Sequence, residues 1–178
     1  MTHPADRTAV AWRAAIESGD AAAATACLAP DVQVISPLTA EFRFSGLAQV
    51  GDMLAAAYEV IKDISVHTEV GTGDTRALFF YASVAGQPLE EAQLLRFDEA
   101  GRIRELTLFG RPLPAGTAVM ARIGPKLLRR QGRPGMGRLI GIAVAPIAAL
   151  TRLGEKRLVP LADPNRARSG GKPLTPVG

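Results

Sequence analysis

The chain has 178 residues, 47% of them hydrophobic, with one cysteine, two histidines and a formal net charge of +4. That is enough for one domain with its own core plus an appendage, and a lone cysteine excludes an internal disulfide framework. The net charge hides a split: up to Arg111 there are nine Lys/Arg against 15 Asp/Glu (net −6), and from Pro112 onward 12 against two (net +10), with all nine aromatic residues at or before Phe109.

Residues 5–18, "ADRTAVAWRAAIES", space Ala9, Trp12, Ala15 and Ile16 as a helix does, and Gly19 is a stop. Asp20 can cap a second short helix, "AAAATACL", that ends before Pro30. Cys27 falls in this alanine-rich segment and is read as a buried, inert thiol. "VQVIS" reads as a strand, "PLTA" as a turn and "EFRFS" as a second strand, with Phe42 and Phe44 on one face and Glu41, Arg43 and Ser45 on the other. From Gly46 to Lys62 the residues Leu47, Val50, Leu54, Ala57, Tyr58 and Ile61 predict a third helix. Four strands follow: "ISVHTEV", "RALFFYASV", "EEAQLLRF" and "RIRELTLF". "AGQP" and "DEAG" join the last three, with Gly101 suited to a positive φ. The expected class is α+β, helices laid on one face of a curved antiparallel sheet.

The shift in charge and aromatic content marks a boundary near "GRPLPAG", giving a domain over 5–111, a basic apolar extension over 112–160 and a disordered tail over 161–178. Within the extension, "VMARIGPKLLRRQG" suits a short basic helix with Pro125 at its first position, and "RPGMG" is a break. Leu139 to Leu150 is a run of twelve uncharged, mostly apolar residues bounded by Arg138 and Arg152, far short of the ~20 a spanning helix needs. The expected role of this run is to fold back on the acidic domain, burying Leu139, Ile140, Ile142, Val144, Ile147 and Leu150. Contact of residues 118–157 with a membrane surface is the second choice. Nucleic acid is a distant third, because the extension has no aromatic residue on which a base could stack.

Two strings, "AAIESGDAAAATACLAPDVQVISP" and "LLRFDEAGRIRELTLFG", together with the order of elements, resemble the nuclear transport factor 2-like superfamily in its SnoaL-like or ketosteroid isomerase-like branch. The resemblance covers about residues 8–111. It implies a cone-shaped fold, a bent antiparallel sheet wrapped around helices with an apolar pocket between them, and homodimers formed through the sheet's outer face. It does not imply one chemistry, since the family includes isomerases, cyclases, dehydratases, epoxide hydrolases and domains that only bind.

In the isomerase branch a tyrosine, a proton-shuttling aspartate and a protonated aspartic acid do the chemistry. Their places fall on Trp12, Ser36 and Gln93. A serine has no usable pKa near neutrality, and neither an indole nor an amide titrates there. The set could hold a carbonyl or hydroxyl but could not move a proton as that branch does. The expected function is therefore to bind a small apolar molecule, with Trp12, Ser36, Gln93, Tyr58 and Leu95 on the pocket wall. The alternatives are an isomerase-, cyclase- or dehydratase-type enzyme with another base, and a peripheral membrane or scaffold protein acting through the extension.

His67 is the first candidate for another base. It shares a strand face with Ser65 and Glu69, opposite Ile64, Val66 and Val70, so alternation puts it outside; a His67–Glu69 pair lining the pocket is the alternative. Glu91 shares a face with Gln93, Leu95 and Phe97, so a pocket carboxylate is one reading, but an exposed glutamate at a hairpin end is preferred. Arg43 and Arg96 read as solvated charges. No metal-ligand spacing exists, the glycines of "GMGRLIG" follow no strand and lack a Gly-Lys pair, and no cofactor is expected. "MTHPADRTAV" has no basic stretch leading an apolar one, so no secretory signal is expected and a cytoplasmic setting, with membrane association through the extension as the variant, fits the single thiol.

Overall fold

The structure, a computed structural model, describes residues 4–164. Its elements in chain order are α1 (Pro4–Ser18), α2 (Ala21–Ala26), β1 (Leu28–Ile35), β2 (Phe44–Ser45), α3 (Gly46–Tyr58), β3 (Ile61–Thr72), β4 (Thr75–Val84), β5 (Gln87–Phe97), β6 (Ile103–Arg111), α4 (Leu113–Arg130), α5 (Pro134–Arg157) and a 3₁₀ turn over Val159–Ala162. The six strands form one curved sheet in the order β2-β1-β6-β5-β4-β3. All neighbours are antiparallel except β1 and β6, which run parallel. The α+β class expected from the sequence is the one observed.

The helical spacing of the first segment becomes a buried stripe: Ala5, Ala9, Trp12, Ala15 and Ile16 of α1 are all buried. Asp20 caps α2 by accepting the N–H groups of Ala22 and Ala23, each at 2.9 Å. On the sheet, Leu78, Phe80, Ala82 and Val84 of β4 and Leu89, Gln93, Leu95 and Phe97 of β5 are buried, one residue in two. With Ile103 and Leu106 of β6, Val32 and Val34 of β1 and the buried sides of α1 and α3, they form one apolar core. Full burial of each larger side chain contributes roughly 1.5–3 kcal/mol.

Polar side chains fix how α1 lies on this core. Arg76, buried on β4, pairs with Asp6 in the first turn of α1. Further along, Arg13 donates to the carbonyl of Val66 at 3.1 Å and Glu17 accepts the Val66 N–H at 2.9 Å. Val66 borders a bulge in β3, where the ladder shifts between Val66 and Thr68, so these side chains supply partners where pairing is interrupted.

Several boundaries differ from the sequence expectation. The second strand is only Phe44–Ser45; Phe42 lies outside it and meets Phe44 edge to face at 5.3 Å. The third helix stops at Tyr58, and Ile61 opens β3 instead of closing the helix; Val60, in the turn between them, and Ile61 are both buried. β5 starts at Gln87, so "AGQP" shrinks to a two-residue turn in which Ala85 and Gly86 both have positive φ, +53° and +72°. That is the backbone pattern that suits the twist of a tight hairpin.

Beyond β6 the corrections are larger. The basic helix is the 18-residue α4, which starts at Leu113 and carries Pro125 in its interior, not at its first position. The break is confined to residues 131–133, and α5 then runs for 24 residues. That makes Pro134–Ala162 long and apolar enough to cross a membrane by length and composition, which the twelve-residue run did not suggest. The segment that docks on the domain is α4: Ala115, Ala118 and Val119 join the core. Lys126 and Arg130 both reach Glu59, each at 2.6 Å. These two cations hold the exposed Glu59 carboxyl down at about 2. The run Leu139–Leu150 does not dock as expected; Leu139, Ile142, Ile147 and Leu150 stay exposed. Of the expected disordered tail, Leu161 and Ala162 belong to the 3₁₀ turn, and residues 165–178 lie outside the described residues.

Gly101, in the turn between β5 and β6, has φ +77°, as expected, and a Cβ there would lie 2.6 Å from the Pro4 carbonyl carbon and 2.8 Å from the Ala5 nitrogen. The turn is thus also the seat of the α1 N-terminus. Gly101→Ala should destabilise the fold by about 3 kcal/mol, from backbone strain and displacement of α1 together. A urea titration followed by far-UV circular dichroism reads this directly; an unchanged midpoint would show that α1 does not sit there.

Candidate functional site

Strand alternation on β5 turns Leu89, Glu91, Gln93, Leu95 and Phe97 to the same, inward side. Trp12 on α1 meets this row from above. Its indole N–H donates to Gln93 Oε1 at 3.0 Å, and the Gln93 amide nitrogen donates to Glu91 Oε1 at 3.0 Å. The indole can only donate, so it fixes the amide: oxygen toward Trp12, nitrogen toward Glu91. The walls beside this chain are apolar. Leu78 and Leu108 flank Gln93 in the ladder, and Phe80 flanks Glu91 on β4. The other neighbour of Glu91 is Gly110, which puts no side chain beside it.

Removal from water is the dominant influence on Glu91. It pushes the carboxyl up to about 7, against the opposing pull of the bond donated by Gln93. Glu91 keeps part of its surface accessible, so the cause is an apolar, poorly solvated setting and not complete enclosure. Here the exposed hairpin-end glutamate expected from the sequence is corrected. β5 begins three residues earlier than "EEAQLLRF", so Glu91 is the fifth residue of the strand and well inside the ladder.

Tyr58, the last residue of α3, brings a phenol into the same region. Its oxygen is buried and has no hydrogen-bond partner. Burial raises its pKa, and the nearby Glu91 charge raises it further. The hydroxyl therefore stays protonated and is a donor without an acceptor, which a buried group seldom is.

The remaining candidates are not in this cluster. Ser36 lies just past β1, and its Oγ accepts the Leu38 N–H at 3.2 Å, closing its own turn. Leu95 is fully buried core. His67 is on the outer side of the sheet, stacked on Tyr81 at 4.3 Å between ring centroids. Its carboxylate neighbour is Glu90, at 3.8 Å, and not Glu69. It does not line the inner face, so the His67–Glu69 alternative is corrected. Arg43 and Arg96 are exposed. Cys27 is buried, and burial raises its thiol pKa. Among the described residues no group of three or more His, Cys, Asp or Glu could hold a metal ion.

Chemically, the inner face offers one carboxyl that titrates near neutrality, one free phenolic donor and an amide held in one orientation, all among hydrocarbon. Such a set can accept a ligand oxygen at Tyr58 and exchange a proton with it at Glu91.

Comparison with known proteins places the domain. Residues 9–106 match the SnoaL-like domain. A steroid delta-isomerase from Pseudomonas aeruginosa is 25% identical, with a TM-score of 0.63 over 74% of this chain and 94% of its own. An uncharacterised protein with a cystatin-like fold from Silicibacter pomeroyi is 23% identical, with a TM-score of 0.63 over 68% and 84%. A nuclear transport factor 2-like protein of unknown function from Cytophaga hutchinsonii is 16% identical, with a TM-score of 0.54 over 64% and 96%. The last two share the fold with this chain. No curated protein matches it in sequence.

The raised carboxyl has a consequence for stability. Between about pH 4.5, the ordinary value, and about 7, folded Glu91 keeps a proton that the unfolded chain releases. The folded state binds more protons in that window, so stability falls as pH rises through it, by about 2 kcal/mol once partial accessibility is allowed for. Glu91→Gln keeps the shape and still accepts from Gln93. It should remove that slope and be the more stable protein at pH 8. Melting temperatures of both proteins from pH 4 to 8 check this, and parallel profiles would place Glu91 in water.

Proposed function

The chain belongs to the SnoaL-like domain family, and from that premise we propose that its domain binds a small, largely apolar molecule carrying a carbonyl or hydroxyl oxygen. The observation that supports this most is the Tyr58 hydroxyl, buried without a partner in the neighbourhood of Glu91. A ligand oxygen would supply the missing acceptor, and the cost of an unmet buried donor, about 1–3 kcal/mol, would be returned as affinity. The Trp12–Gln93–Glu91 chain would offer such a molecule polar partners, and Phe80, beside Glu91 in the ladder, an apolar one. The likeness to a steroid delta-isomerase supports apolar ring compounds as the ligand class.

Glu91 favours a second reading, an enzyme that moves a proton on the bound molecule. Its carboxylate would take a proton from the carbon beside a ligand carbonyl. The released C–H pair would form a carbon–carbon double bond, the carbonyl π pair would move onto the oxygen, where Tyr58 donates, and the carboxylic acid would return a proton to carbon. This is not the isomerase arrangement, since Trp12, Ser36 and Gln93 occupy those places. A base with a pKa near 7 nonetheless suits the task.

One experiment addresses both. Apolar cyclic ketones of one to four rings are mixed with the protein in D2O, and the emission of Trp12, the sole tryptophan, and deuterium at the carbons beside the carbonyl are followed. Binding predicts a shift in emission that Tyr58→Phe weakens. Proton transfer predicts deuterium exchange that rises to a plateau above about pH 7 and that Glu91→Gln abolishes. A shift without exchange leaves binding alone, and neither signal across the series overturns both readings.

The outer face of the sheet supports a further part of the proposal, a homodimer. Phe79, Leu94 and Thr107 are only partly covered there, and Tyr81 and Phe109 are exposed. A second copy laid on this face would remove that aromatic surface from water. Light scattering should give a dimer mass that Tyr81→Glu with Phe109→Glu halves; a monomer at micromolar wild-type protein would exclude the dimer.

A further inference from the structure

The extension divides into a helix that docks and a helix that does not. α4 buries one side against β4, β5, β6 and α3. In α5 only Gly137 is buried. Ile142 is 74% exposed, Leu150 68% and Leu139 61%. A helix this apolar is ordinarily a core helix, and here the core is already filled by α1, α3 and α4.

At 100° per residue the side chains of α5 sort into three stripes. Met136, Leu139, Ile142, Ile147, Leu150 and Leu153 form the first, about 140° wide and open to solvent. A second faces α4. A Cβ on Gly137 would lie 2.8 Å from the Pro125 carbonyl oxygen and one on Gly141 3.2 Å from its ring, while Thr151 and Thr117 share a hydrogen bond of 2.8 Å. The small residues thus let the two helices approach closely, and α5 is held along α4. Arg138, Arg152 and Lys156 form the third stripe, next to the apolar one; Glu155, the only acid of α5, falls on the side of Gly137, and Arg157, the last residue of the helix, falls in line with Leu139.

The two cations that bind the domain, Lys126 and Arg130, are on α4. Among the described residues no ion pair involves Arg138, Arg152 or Lys156. Arg129 and Arg138 also line a shallow recess of about 330 Å³ at the turn between α4 and α5. An apolar stripe bordered by unneutralised cations suits a surface that is hydrocarbon below and anionic above.

We propose that the exposed face of α5 docks on an anionic lipid bilayer, with the helix lying in the plane of the interface. The apolar stripe enters the acyl boundary, and Arg138, Arg152 and Lys156 meet lipid phosphates. Lying flat, not crossing, follows from where the charges fall. The uncharged run from Leu139 to Leu150 extends about 18 Å, against a hydrocarbon core of about 30 Å. Nucleic acid would use the cations but leave the apolar stripe in water.

The test is sedimentation of the full chain with equimolar phosphatidylglycerol–phosphatidylcholine vesicles and with phosphatidylcholine alone. Binding is expected only with the anionic vesicles and should weaken in high salt. Arg138→Glu with Arg152→Glu and Lys156→Glu, and separately Ile142→Asp with Leu150→Asp, should each lower the partition coefficient more than ~100-fold. These positions are exposed, and an unchanged melting temperature confirms folding. As a second measurement, an environment-sensitive dye on Ile142→Cys, Cys27 being buried, should shift to the blue on anionic vesicles alone. Protein left in the supernatant, or equal binding to both vesicles, overturns the proposal. So does self-association without lipid that Ile142→Asp abolishes, which would make a second copy the occupant. None of these readouts depends on Glu91 or on a ligand.

Discussion

The hydrogen bond from the Trp12 indole to Gln93 is the interaction on which the inner face of the sheet depends. Both groups are buried among hydrocarbon, where an unpaired amide oxygen or indole N–H would cost more than a satisfied pair returns. The bond therefore holds α1 at one height over β5 and leaves Gln93 a single orientation. The amide nitrogen is then committed to Glu91, which gains one donor but not the solvation a carboxylate needs. A structural requirement of the core thus produces a carboxyl poised near neutrality.

Tyr58 completes the pattern from the opposite side. It stands where α3 ends and the chain turns into β3, so its position follows from the early stop of that helix. Had the helix continued to Lys62, the phenol would be one of several residues on a buried stripe. At the terminus it reaches the inner face with its oxygen unmet. An orphaned donor and a neutral-range carboxyl are individually costly, and their nearness is what the proposed binding of an oxygen-bearing apolar molecule rests on.

The basic extension is where charge and fold meet. The acidic domain takes up part of the positive charge through Glu59, which ties down the second half of α4. α4 also packs against β5, the strand that carries Glu91, and Gly137 and Gly141 of α5 lie close against its Pro125.

Period and punctuation made most of the fold legible. The stripe Ala9–Trp12–Ala15–Ile16, the Asp20 cap, the four long strands and the positive φ at Gly101 are local properties, set by side-chain spacing and backbone sterics. So was the shared face of Glu91, Gln93, Leu95 and Phe97; that Trp12 and Gln93 both border one pocket was only what the resemblance implied, and their contact was not read. Glu91 was misjudged because its exposure hung on where β5 begins, and a start at Gln87 is decided by pairing with β4, not by β5 itself. The bulge at His67 and the truncation of the third helix have the same origin. In the extension, composition identified an apolar run among cations but not which part would be buried. That choice belongs to the tertiary structure: beside α1 and α3 the core takes up one side of α4, and α5 packs on α4. What the sequence determined alone was therefore each element's chemistry and its two sides; which side met protein, and which was left for another partner, was settled only when the elements competed for one limited core.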